Sequence, residues 1–196
     1  MQTNPVATYL GPLARFFALL AGYGILALSL LITCEVLLRR FLNFSLQGGD
    51  EFGGYVLAML AAFGFAYAWL DRSHTRVELV LEKVSPALRA LLDLIAVLSL
   101  TGMAVFMAWR GWATLTESIE YGSLSGTPMM TPLWQPQAIW VIGLVFFALV
   151  AAATSVHAII LFARRSPMLA QWYGVKSLNE EIREQTALVA ERSDAR

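Results

Sequence analysis

The chain has 196 residues, room for one domain or for several membrane spans and little else. Hydrophobic side chains make up 58% and charged ones 14%, against about 45–50% apolar and about 25% charged in an ordinary soluble domain. That excludes a disordered chain and points to a membrane protein. The 14 Lys and Arg balance the 14 Asp and Glu, so no basic excess drives nucleic-acid binding, and the single cysteine, Cys34, excludes an internal disulfide, a CxxC redox pair and a cysteine-rich zinc site.

The charges cluster, and the gaps between them match a bilayer, since about 20 helical residues cross about 30 Å of hydrocarbon. Phe16–Cys34 and Phe52–Leu70 are each 19 residues without a charge. Leu94–Trp109 extends at both ends because Arg89, Asp93 and Arg110 can lie at interface depth. The last gap, Tyr121–Ala163, is broken early by Pro128, Pro132 and Pro136, so its helix is expected to start near Pro136. The fold class is therefore an all-α membrane protein with four transmembrane helices, at about 14–38, 51–70, 87–112 and 136–162. Sequential gaps of this length exclude a β-barrel. The first is too long for a signal peptide and exits into charged residues, so it is expected to be retained.

Between the second and third spans, Val77, Val80, Leu81 and Val84 recur at helical spacing among Glu78, Glu82 and Lys83. A short amphipathic interfacial helix is expected over roughly 76–84, ended by Ser85-Pro86, a helix start signal. Residues 1–163 form the membrane domain, and 164–196, with 11 of the 28 charges, read as a charged cytoplasmic tail. Lys and Arg near the span ends divide 8 to 3 in favour of N-in and C-in.

The chemistry of catalysis is missing. There is no HExxH, GxxxxGK[ST] or GxSxG. His74 and His157 fall in different regions and cannot make the paired ligands of a membrane haem. An enzyme is not expected, and no cofactor is implied. No span carries a charge near its centre. The polar atoms of Thr33, Ser99, Thr101, Thr154 and Ser155 are few, so no ion pathway stands out. Such a chain reads as an accessory subunit. The competing reading is a free-standing four-helix channel or interaction scaffold.

Three features remain. Glu35 and Arg39, at i and i+4, form either a local surface pair or a polar contact to a partner subunit. Gly54, Ala58, Ala62 and Ala66 recur every four residues, either a stripe for close helix approach or plain alanine richness. Trp69, Trp109, Trp112, Trp134 and Trp140 fall near span ends, as amphipathic rings at headgroup level do. Met103, Met107 and His157 read as packing residues.

Four stretches in this order resemble the small membrane subunit of tripartite ATP-independent periplasmic (TRAP) transporters, the DctQ-like family. They are Glu35-Val36-Leu37-Leu38-Arg39-Arg40-Phe41; the acidic pair Asp50-Glu51; His74-Thr75-Arg76-Val77-Glu78 followed by Pro86, Arg89 and Leu92-Asp93; and Pro132-Leu133-Trp134-Gln135-Pro136. Gly48-Gly49 departs from the tryptophan and two acids usual in the family. The likeness covers about residues 15–165. It implies a large membrane subunit holding the substrate and sodium sites, and a periplasmic substrate-binding protein that delivers organic acids. It also implies a bacterial inner membrane, with sodium bound on the large subunit rather than on this chain, which braces its partner. The residues it marks as structural or subunit-interface are Glu35, Arg39, Arg40, Asp50, Glu51, His74, Arg76, Glu78, Asp93, Pro132 and Trp134, beside the small-residue stripe.

Overall fold

In the computed structural model, residues 4–44, 48–73 and 84–174 and Thr186 are described. They form α1 (Pro5–Leu42), α2 (Gly49–Leu70), α3 (Pro86–Glu120), α4 (Trp134–Ala163) and the short α5 (Met168–Tyr173). The first four are long and apolar enough to cross a membrane. Among the described residues there is no strand, only an isolated antiparallel bridge, Leu124 to Pro132. The interfacial helix expected over 76–84 lies, apart from Val84, outside the described residues. So does the tail beyond Gly174, Thr186 excepted.

Local chemistry sets the helix ends. Asn4 caps α1, its side chain accepting the Val6 N–H at 3.1 Å, and Pro5 occupies the first turn, where it has no N–H to leave unpaired. The helix is 38 residues long, or roughly 57 Å, and therefore overruns the hydrocarbon expected over 14–38. Ser85 caps α3 by accepting the Leu88 N–H at 3.4 Å, with Pro86 following, as the Ser-Pro signal predicts. Past residue 112, α3 continues to Glu120 because Gly111, Leu115 and Ser118 keep a buried face at helical spacing.

Two helical hairpins pack through their second members. α1 lies on α2, α3 lies on α4, and α2 meets α4 in the centre. α4 is the core helix, burying Val141, Leu144, Phe147, Val150, Ala151, Ala158 and Leu161. Glycines open both of its contacts. A Cβ on Gly143 would lie 2.8 Å from the Ala62 Cβ of α2, and one on Gly111 of α3 would lie 3.0 Å from Leu144 Cδ1. Backbones approach closely at both crossings, and such packing drives helix association in lipid.

Hydroxyls fasten the same contacts. The Trp69 indole N–H donates to Thr154 Oγ1 at 2.9 Å, joining α2 to α4. Thr101 Oγ1 lies 2.6 Å from Ser155 Oγ and donates to the Val97 and Ala151 carbonyls at 3.0 Å, joining α3 to α4. Trp69 is thus buried, where its position near a span end predicts a ring at headgroup level. The reason is the partner hydroxyl across the helix pair, which lets the indole leave the interface. Trp109, Trp112 and Trp134 are exposed.

The stretch after α4 is not simply tail. Through α5 it turns back onto α3 and α4, burying Leu169 and Tyr173. His157 Nδ1 lies 2.7 Å from the Tyr173 hydroxyl, which donates to Asn4 Oδ1 at 3.5 Å. His157 also lies against the Trp172 ring, so the N-cap of α1, the last turns of α4 and α5 meet at one point. Burial pushes the Tyr173 phenol up to about 12.

Candidate functional site

The polar residues marked in the sequence gather mainly at the end of the bundle where α1 and α3 finish and α2 and α4 begin. Glu35 lies two turns before the end of α1. Its carboxylate accepts from Arg39, one turn on, as the i, i+4 order allows. The two groups differ in setting: the Glu35 side chain is 10% exposed and that of Arg39 63%. The chain itself supplies the burial. A Cβ on Gly49 would collide with Glu35 Oε2, so the carboxylate rests against the first turn of α2 through the space a side chain would fill. A helix N-terminus carries unpaired N–H groups and partial positive charge, a favourable place for a carboxylate.

The Gly48-Gly49 departure from the family pattern now has a physical account. Gly48 has φ 101, a left-handed conformation that glycine adopts without strain. Met129, from the loop between α3 and α4, occupies the place its Cβ would take. Gly49 leaves room for Glu35. The first glycine admits the loop, the second admits the acid.

Glu51, in the first turn of α2, is the second buried carboxylate. It accepts from the Tyr55 hydroxyl at 2.7 Å and from Thr127 Oγ1. Thr127 stands in a compact loop held by its own hydrogen bonds: Ser125 N–H to the Thr131 carbonyl at 2.9 Å, Leu133 N–H to the Ser123 carbonyl at 3.0 Å, and Ser125 Oγ to Thr127 Oγ1 at 2.9 Å. The prolines that shorten the last span also build this loop, with Pro132 in the bridge to Leu124. Trp134 opens α4 and is exposed.

The other marked residues take different places. Arg40 is exposed on α1. Asp50 belongs to the first turn of α2, and its side chain is not among those described. His74, Arg76 and Glu78 fall outside the described residues. Asp93 is buried on α3, near the opposite end of the bundle. The small-residue stripe divides: Ala62 and Ala66 are fully buried, with Ala62 at the Gly143 crossing, Ala58 is half-buried, and Gly54 is exposed with open space at its Cβ position. Tyr55 was readable from the sequence as the residue one turn after Glu51. Thr127 was not, because nothing local marks a loop hydroxyl 76 positions away as a carboxylate's partner.

Among the described residues, no three His, Cys, Asp or Glu side chains come together as metal ligands would. Glu35 rests on the next helix, Trp69, Thr154, Thr101 and Ser155 join one helix to another, and Glu51 joins a loop to a helix. Fold and site thus define a four-span membrane protein whose polar chemistry goes into assembly. The family model for the DctQ component of tripartite ATP-independent periplasmic transporters matches residues 28–160, and the chain belongs to that family. It is the small membrane subunit of a TRAP transporter, in a family of transporter subunits rather than enzymes. A comparison with curated proteins gives no match.

Proposed function

We propose that this subunit braces the large membrane subunit of a sodium-coupled importer of organic acids, with a periplasmic protein delivering the substrate. Its place is a bacterial inner membrane, with both termini in the cytoplasm and the Glu35 end facing the periplasm. Sodium and substrate bind on the large subunit. The observation that carries this reading is the unequal use of apolar surface. The most apolar stretch of α1 is 0% buried within the chain, whereas 44% of that of α4 is buried. The buried groups Glu51, Trp69, Thr154 and Ser155 serve contacts between elements. Family membership supports the partners, and the 8 to 3 division of Lys and Arg supports the orientation.

The test is reconstitution. The subunit alone in liposomes is expected to give neither sodium-driven organic-acid uptake nor ion conductance. Co-expressed with the large subunit it should purify in fixed stoichiometry, and uptake should appear once the binding protein is added. Uptake or conductance by the lone chain would overturn the bracing role in favour of a free-standing channel.

A further inference from the structure

At the end of the bundle away from Glu35, a half-open groove of about 840 Å³ lies between the first turn of α3 and the corner joining α4 to α5. Two arginines line it, Arg89 and Arg165, with Ser166 beside them. Arg89 Nε is buried and has no hydrogen-bond partner among the described residues. Among the described residues neither arginine joins an ion pair. Among the described residues no carboxylate lines the groove; Asp93, one turn deeper on α3, is buried and is not among the lining residues.

The groove's remaining chemistry matches a phosphate with hydrocarbon attached. The first turn of α3 adds positive potential. The Ser85 hydroxyl and carbonyl take the Leu88 and Arg89 N–H groups, which leaves the N–H of Ala87, a lining residue, as the open donor of that turn. Phe162, Leu169 and Ala90 give the groove an apolar side. Both α3 and α4 enter their membrane-spanning stretches here, so the groove lies at headgroup depth. Leu91 on α3 and Ile159 on α4, just deeper, are exposed and offer apolar surface for an acyl chain.

We propose that this groove seats the phosphate of an anionic phospholipid from the adjoining leaflet, held by Arg89 and Arg165. Basic pockets between transmembrane helices favour such headgroups, each Lys or Arg contributing severalfold in affinity. The proposal stands apart from the transport reading, since a brace, a channel and a scaffold would all keep the lipid.

The experiment uses the full chain, extracted with any subunits that accompany it and mixed with equal amounts of phosphatidylglycerol and phosphatidylcholine. Native mass spectrometry reads the lipid retained. Wild type should favour phosphatidylglycerol by about thirtyfold, as two basic contacts imply. Arg89→Gln with Arg165→Gln should bring the two lipids near parity, while the neighbouring Arg164→Gln, outside the groove, should change nothing. Should the double variant fail to fold, Ala87→Phe decides: it keeps both charges but fills the groove, and should also lower retention of phosphatidylglycerol. Parity in wild type, or an undiminished preference in the altered groove, would overturn the proposal. Displacement of the lipid by millimolar inorganic phosphate would overturn it too, because the groove would then be a site for the free anion.

Discussion

α1 and α4 are both strongly apolar, yet they serve opposite purposes. Only Ala14 and Glu35 of α1 are buried, while Tyr23, Leu26 and Leu30 stand open. α4 is packed from two sides. The difference is not hydrophobicity but the size and placement of side chains. α4 carries Gly143, Ala151, Thr154, Ser155 and Ala158 on buried faces, and α3 meets it with Gly111. α1 carries glycines as well, but a Cβ on Gly11 or Gly22 would meet nothing within 4 Å. Lipid tails are as apolar as leucine, so helices associate in a bilayer where backbones can close up and hydroxyls can bond across, not wherever apolar surface exists. α4 meets those conditions within the chain. α1, beyond its contact with α2, leaves most of its surface open within the chain.

The strongest way to break this comparison is to put the same side chain on both helices. Gly143→Leu drives atoms into Ala62, whose backbone carbon would lie only 3.3 Å from the new Cβ. Overpacking of that kind costs about 1–3 kcal/mol, with the upper end expected where backbone cannot yield. Gly22→Leu meets open space and should change the isolated subunit by no more than about 0.5 kcal/mol. Thermal unfolding in detergent compares the two. Equal losses would mean that α1 is packed as α4 is. A silent Gly22→Leu that nevertheless lowers recovery of the two-subunit complex would place this face of α1 against the large subunit.

The junction of α1 with α2 offers a finer test, because there α1 does contribute a buried group. Gly49→Ala pushes on Glu35, and the cost should be about 1 kcal/mol, the order of one ordinary hydrogen bond. In a Glu35→Ala background the obstructing carboxylate is gone and Gly49→Ala should be nearly neutral. The coupling between the two sites is the quantity to measure, in a double-mutant cycle. Additive losses would mean that the carboxylate does not rest on α2. Arg39→Gln is expected to matter less than either single change, since that side chain is largely in solvent.

The spans were legible because uncharged stretches of bilayer length cannot be much else, and the start of α3 because Ser85-Pro86 is a local signal. The hydrogen bond between Glu35 and Arg39 was legible for the same local reason. What the sequence could not disclose is non-local. Trp69 reads as an interfacial ring until Thr154, 85 positions on, takes its N–H. Glu51 has no visible partner until the loop folds over it. α5 was hidden because Leu169 and Tyr173 are too few to show a period, and a helix of six residues forms only when something packs on it. The stripe on α2 showed four small residues at equal spacing, but it took Gly143 to distinguish the packed Ala62 from the open Gly54.

A pH-dependent effect is expected where the start of α1 is tied to the α4 side of the bundle by a hydrogen bond as well as by the packing of Phe17 on Phe146: Tyr173 lies between His157 and Asn4. Burial holds the phenol up to about 12, above its ordinary value of about 10 in the unfolded chain. Below pH 10 both states keep the proton, and stability does not depend on this group. Between pH 10 and 12 the unfolded chain loses the proton while the folded one keeps it, so stability falls; above 12 both are ionised and the loss levels off. Thermal unfolding at pH 9 and pH 11 should therefore show a drop, part of which disappears in Tyr173→Phe. Tyr9→Phe is the control, since that ring is exposed on α1 and its removal should leave the drop intact. If both variants lose stability at pH 11 as the wild type does, Tyr173 is solvated, and its hydroxyl does not tie the start of α1 to α4 and α5.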